Sequence, residues 1–216
     1  MSAPQTSNPA KLLAHWDPEP GIAAFHEDWE ALEGDSYVTE GYRSRRYAVM
    51  RFANGTLAPL PLEPHFQQKA HNPLFGGRYR QFAPISDAFL ESPSLHALVQ
   101  KMVTTTKVQD ATWRLQLHQF RIMAPGDPTP EGFHRDGADF TLIMMIKSQN
   151  VTGGETLIGT DDTPNPTYTA TLNRPGEALF LDDRHYKHKT SPIDAQDPQH
   201  PAFRDTFVMT MQRQDA

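Results

Sequence analysis

The chain reads as a mainly β fold with flanking helices, a sandwich or jelly roll, on three observations. Its second half is a succession of short strand-like runs separated by turn signals, two amphipathic helical patterns precede them, and the nineteen prolines gather in connecting segments. A length of 216 residues suits one domain with a substantial core. The expected layout is a single domain over 1–216, with helical and strand elements in 1–111 and the sheet-rich core over about 112–212.

Taken in order, Ile22, Phe25, Trp29 and Leu32 recur at three-to-four spacing and Gly34 follows, which predicts a helix over 22–33. From Tyr42 to Leu62 the runs RRYAVMRF and TLAPLPL flank Asn54-Gly55, a pair suited to the positive φ angles of a tight hairpin. Ser92-Pro93 is an N-cap followed by proline at the first helical position, with Leu95, Leu98, Val99 and Met102 on one face of the helix that follows. Strands are then expected over 112–123, 134–147, 154–159, 167–172, 177–181, 187–191 and 203–212, with turns at Gly153-Gly154 and Pro175-Gly176. Residues 1–10 and 194–201 are the expected mobile segments.

Composition narrows the function. With 38% apolar and 21% charged residues the chain has the balance of a soluble globular protein, and its longest purely apolar run, Leu142–Ile146, cannot cross a bilayer. The start, MSAPQTSNPAKLLAHW, lacks the basic and apolar stretches of a secretory signal, so a cytoplasmic location is expected. The absence of cysteine excludes disulfides, iron–sulfur clusters, thiolate zinc sites and a catalytic thiol, and leaves any metal to nitrogen and oxygen ligands. A formal net charge of −6 argues against a nucleic-acid partner.

Three His-x-Asp pairs occur, at His15/Asp17, His26/Asp28 and His134/Asp136. In the expected helix His26 and Asp28 point about 200° apart, so they cannot share an ion. His15 and Asp17 have no strand pattern around them. His134 and Asp136 open the strand-like HRDGADFTLIMMI, where residues two apart project to the same side. The third ligand should come from EALFLDDRHYKHKTSPI, which offers both His188 and His185; parity does not choose between them. Two histidines and a carboxylate on one face of an octahedral ion leave three open positions, the arrangement that non-haem Fe(II) oxygenases use. On the last run, RDTFVMTMQR, Arg204 and Thr206 share a face opposite Phe207, Met209 and Met211. An arginine and a hydroxyl there suit the distal carboxylate of a dicarboxylate cosubstrate. Arg43, Arg45 and Arg46, interleaved with tyrosines, read as a half-exposed strand more readily than as a phosphate site, and Gly153-Gly154 reads as a turn.

Four ordered segments, PTPEGFHRDGADF (128–140), NVTGGET (150–156), DDRHYKHKTSPI (182–193) and RDTFVMT (204–210), resemble the 2-oxoglutarate/Fe(II) dioxygenase family that includes L-isoleucine dioxygenase, other free amino-acid hydroxylases and biofilm stress and motility homologues. The resemblance implies a double-stranded β-helix core, with His134, Asp136 and His188 as iron ligands and Arg204 as the 2-oxoglutarate anchor. It implies Fe(II), 2-oxoglutarate and O₂ as the reacting set, and a small-molecule substrate, most readily a free L-amino acid. Such a substrate needs a cation for its carboxylate and an acceptor for its ammonium, for which Arg121, Glu131 and Asp139 are the candidates. His118 and His185 read as structural neighbours. Two other readings compete: oxidation of a macromolecular side chain by the same chemistry, and a metal-holding regulatory module without turnover.

Overall fold

The computed structural model describes residues 12–214 apart from 19 and 24. Residues 1–10, expected to be mobile, lie outside the described residues. In chain order the first elements are β1 (Leu13–Trp16), α1 (Pro20–Ala23), a 3₁₀ segment (His26–Ala31), β2 (Arg43–Ala53), β3 (Thr56–Pro59), β4 (His65–Phe66), β5 (Tyr79–Arg80) and β6 (Ala83–Pro84). Then follow α2 (Asp87–Leu90), α3 (Pro93–Thr106), β7 (Thr112–Met123), β8 (Phe140–Gln149), β9 (Val151–Gly153) and β10 (Thr156–Gly159). The last are β11 (Tyr168–Ala170), β12 (Ala178–Asp182), β13 (Lys187–Thr190), β14 (Ile193–Ala195) and β15 (Phe203–Gln214).

The main sheet runs in the order β1-β12-β8-β15-β7-β2-β3 and is antiparallel throughout, with short β6 added parallel to β2. A second layer is built from β11-β10-β13 and β14-β9. It is extended by the bridges Gly126–Ile193 and His134–His188. This is the jelly-roll arrangement the turn-rich second half predicts. Alternation along each strand separates two interiors. Trp113, Leu115 and Leu117 of β7, Leu142, Met144 and Ile146 of β8, and Phe207, Met209 and Met211 of β15 pack against Leu95, Leu98, Val99 and Met102 of α3. Their neighbours in sequence turn the other way: Ile143, Met145, Leu179 and Leu181 meet Ile158 and Leu172 between the layers.

Several expectations hold. Asn54 and Gly55 have φ of 50° and 75° and close the β2–β3 hairpin. The Ser92 hydroxyl accepts from Leu95 N at 3.2 Å and starts α3. Others are corrected. Over 22–33 there is no continuous α-helix: α1 stops at Ala23, the 3₁₀ segment follows without a side-chain cap, and Leu32 is already extended. The apolar spacing still works, because Trp29 is fully buried and forms edge-to-face contacts with Phe89 and Phe207. The strand expected from 134 begins only at Phe140, because Gly137 at φ +85° turns the chain. The 194–201 segment is tied down: Asp194 and Ala195 pair with β9, and the Asn150 side chain bonds Asp197 N and the carbonyls of Asp197 and His200. Among the described residues no helix is long and apolar enough to cross a membrane.

The edge strand β1 is clamped electrostatically. Glu177, just before β12, accepts from His15 Nε2 at 2.8 Å, from the amides of Asn173 and Arg174 at 3.2 Å each, and from the Arg174 guanidinium. Burial opposes its charge, but these donors outweigh burial and hold the carboxyl at about 2 against its ordinary 4.5. A folded-state pKa below the unfolded one gives stability that is present above about 4.5 and lost as pH falls toward 2. The urea midpoint of wild type should therefore exceed that of Glu177→Gln at pH 7, with the gap narrowing between pH 5 and pH 3. A gap independent of pH would show that the carboxylate charge contributes nothing.

Candidate metal and cosubstrate site

Two histidines 54 positions apart are brought face to face by a single antiparallel bridge. His134 N donates to His188 O at 3.1 Å and His188 N to His134 O at 2.9 Å, which sets the two ring centroids 4.4 Å apart. His134 donates through Nδ1 to Gly132 O at 3.0 Å, so its Nε2 is the free nitrogen. That Nε2 lies 3.7 Å from Asp136 Oδ1, and His188 Nε2 lies 3.9 Å from Asp136 Oδ2. One ligand atom from each of the three residues fits within 4.8 Å of the others. His185 is not part of this group; its ring packs on Tyr186 and its carbonyl accepts from Arg135.

Asp136 does not reach this position as a strand residue. The fully buried carboxylate of Asp183 accepts from the backbone amides of Asp136, Gly137 and Ala138 at 3.0, 2.8 and 3.0 Å, folding the chain into a turn around it. Thr141 Oγ1 then donates to Asp136 Oδ2 at 3.0 Å. Burial and the neighbouring Asp136 raise the Asp183 pKa, against the pull of the amides. Burial, and then His134, push the His188 ring down to about 3, so it is neutral and its lone pair is available. For His134 burial works against the charge, but the carboxylates of Asp136 and Glu131 prevail and raise its pKa. Two buried, neutralisable imidazoles and one half-buried carboxylate that converge on one point are a donor set that fits Fe(II).

Arg204 lines the same cavity of about 120 Å³. It is 3% exposed and has no acidic partner among the described residues; Nη1 donates to Gly154 O, while Nε and Nη2 have no acceptor. Burial alone lowers its pKa to about 10. An unanswered guanidinium in the interior fits a ligand carboxylate, and Thr206 borders the cavity two residues on. Gly154 has φ +74°, where a side chain would be strained, and a Cβ there would stand 2.7 Å from Arg204 Nη1 and displace the guanidinium.

The substrate candidates separate. Glu131 lines the cavity, with Oε1 accepting from Asn72 at 3.0 Å and Oε2 buried without a partner. Arg121 is a correction: it shares the odd-numbered face of β7 with Leu115 and Leu117 and points away from the cavity, into a bidentate pair with Asp205 and a second pair with Glu30. Asp139 is another: its carboxylate accepts from Arg184, Gln212 and the amide of Arg213, and it lies outside this cavity. Arg43 and Arg45, expected on a half-exposed strand, and His118, expected as a structural neighbour, are buried and line the cavity, as do His65 and Arg80, which the sequence did not single out. The signal was the alternation Arg43, Arg45, Tyr47, which points these side chains to one face.

A family model described as 2OG-Fe dioxygenase matches residues 26–210. The 3(1)-hydroxy-L-isoleucine 4-dioxygenase of Pantoea ananatis is 27% identical over 201 residues, covering 87% of this chain and 79% of that protein. The L-isoleucine-4-hydroxylase of Bacillus thuringiensis is 27% identical over 197 residues, covering 85% and 79%. The crystal structure of a bsmA homologue from Methylobium petroleophilum PM1 aligns with a TM-score of 0.81 at 32% identity, covering 94% of this chain and 89% of that one.

Asp183 touches no ligand atom yet shapes the turn that carries Asp136. Asp183→Asn puts an amide N–H against a backbone donor, and metal affinity should fall by roughly 10- to 100-fold, the usual effect of losing a residue that orients a ligand. Anaerobic Fe(II) or Co(II) titration measures this; an unchanged dissociation constant would rule out the orienting role.

Proposed function

This chain belongs to the 2OG-Fe dioxygenase family and is a 2-oxoglutarate-dependent non-haem iron dioxygenase using Fe(II), 2-oxoglutarate and O₂; on that premise we propose that it hydroxylates a free L-amino acid. One observation carries the assignment of residues. A single cavity holds the two-histidine, one-carboxylate set together with a buried guanidinium whose Nε and Nη2 have no acceptor. In this reading His134, Asp136 and His188 bind the iron, and Arg204 with Thr206 grips the distal carboxylate of 2-oxoglutarate.

Bound iron and cosubstrate supply the oxidising chemistry, in which 2-oxoglutarate is decarboxylated to succinate and CO₂ while one atom of O₂ enters a substrate C–H bond. The protein's own residues position and exclude. The Gly132 carbonyl fixes the His134 tautomer, and Asp183 holds the turn of Asp136. Ile122, Ile143 and Val208 give the cavity an apolar wall that keeps water from the reacting centre. Glu131, with one oxygen unpartnered in the cavity, is the acceptor for a substrate ammonium. Support for the amino-acid class comes from the two relatives named for isoleucine chemistry.

The deciding experiment is succinate formation from 2-oxoglutarate with Fe(II) across a panel of free amino acids, where amino-acid-dependent turnover is expected. His188→Ala should abolish both iron binding and turnover, while His185→Ala should retain them. Arg204→Gln should raise KM for 2-oxoglutarate by roughly 10- to 100-fold, because a charge-assisted pair to a carboxylate is lost. Succinate production that no amino acid stimulates would remove the substrate assignment; full activity of His188→Ala would remove the ligand assignment.

A further inference from the structure

Iron and 2-oxoglutarate leave a second cationic region of the cavity unanswered. On β2, Arg43 and Arg45 turn inward while Arg46 between strand and solvent pairs with Glu33, and Arg80 joins them from β5. All three inward guanidiniums are 5% exposed or less. Arg43 is matched by buried Asp35, Nε to Oδ2 at 2.7 Å. Arg45 and Arg80 have no carboxylate partner among the described residues. Arg45 donates to His118 Nδ1 at 2.9 Å, Arg80 reaches Gln67 Oε1 at 3.5 Å, and Nε of each has no acceptor, like Nη2 of Arg43.

Aromatic rings partly compensate. The Arg45 guanidinium carbon lies 3.9 Å from the centroid of Phe82 and 4.8 Å from that of Phe120, and Arg80 stands 5.6 Å from Phe75. Such faces attract a cation but leave the in-plane N–H groups without acceptors, and those edges are what a carboxylate engages. The flanking histidines add no charge: burial, then the arginines, drives His65 down to about 2 and His118 well below its ordinary value. Glu131, with its unpartnered oxygen, lines the same cavity. The cavity thus offers an anion acceptor and a cation acceptor to one small molecule, the complement of a zwitterion.

We propose that Arg45 and Arg80 form the subsite for the substrate carboxylate, with His118 as a positioning residue that holds Arg45 through its Nδ1. The inference rests on the amino-acid reading above and assigns residues that reading does not use. Arg204 serves the cosubstrate, so the two acids bind to separate guanidiniums.

Two comparisons test it. With wild type, an L-amino acid that is turned over should lose turnover when offered as its carboxamide, which keeps the ammonium and side chain but not the anion. Arg80→Gln and Arg45→Gln should raise KM for the amino acid by roughly 10- to 100-fold and leave KM for 2-oxoglutarate within about twofold. The anaerobic Fe(II)–2-oxoglutarate charge-transfer absorption should persist in both variants, which shows that the fold and the iron site survive. Equal turnover of acid and carboxamide overturns the subsite even if the variants fail to fold. A rise in KM for 2-oxoglutarate instead of the amino acid overturns it too, and gives the cluster to the cosubstrate. Absence of turnover with every amino acid is the separate failure of the parent reading, and takes this one with it.

Discussion

An ion moved into a protein interior costs several kcal/mol even after the surroundings relax, unless a partner of opposite charge or a set of hydrogen bonds answers it. The cavity of this enzyme nevertheless buries the guanidiniums of Arg43, Arg45, Arg80 and Arg204, and Glu131 and Asp136 also line it. Where the fold has a permanent use for a buried charge it supplies the partner. Asp35 answers Arg43, and Asp183 is answered by three backbone amides. Arg204 receives only a carbonyl, and Arg45 and Arg80 receive a histidine and an amide. In the proposed function, these unanswered groups are the ones whose partners would arrive with the reactants.

The opposite face of the sheet makes this burial tolerable. Phe207, Met209 and Met211 of β15 are fully buried against helices, and the residues between them, Thr206, Val208 and Thr210, line the cavity. A single strand therefore anchors the core and presents the site, and Arg204 is held by the same register. Next to it β8 carries one extra residue, so that Asp205 pairs with Lys147 and Thr206 with Met145. Alternation along β15 itself puts Arg204 on the cavity face and Asp205 on the other, where it closes the pair with Arg121.

Period and turn chemistry made much of this legible. The Asn-Gly hairpin, the Ser-Pro helix start and the limits of β7 follow from local rules, because each depends on φ angles or capping that a few residues determine. The His134–Asp136 pair was chosen on strand parity, whereas the structure joins only His134 to a strand and brings Asp136 around by a turn on Asp183. That contact spans 47 positions and has no local signature. Arg121, a candidate as a cation for a substrate carboxylate, shares the spacing of Leu115 and Leu117, which places it on the helix-facing side. Arg43 and Arg45 went the other way, since alternation says which residues share a face but not which face is wet.

Separate guanidiniums for two acids have a consequence for selectivity. With the amino-acid substrate proposed above, both reactants would present carboxylates, and a cavity with one undifferentiated cationic wall would bind either acid in either place. Arg204 stands on β15 in the same cavity as His134, Asp136 and His188, and Thr206 adds a hydroxyl, so a dicarboxylate that also bound a metal held there would gain what a monocarboxylate cannot. Arg45 sits between phenyl rings, and Glu131 in the same cavity supplies a carboxylate for an ammonium. A dicarboxylate without an ammonium would leave Glu131 Oε2 without a partner and be repelled by it, which would make the second region costly for the cosubstrate. In this proposal the discrimination comes from pairing each cation with a different second partner, so that each acid would be placed by its complete set of charges and not by its carboxylate alone.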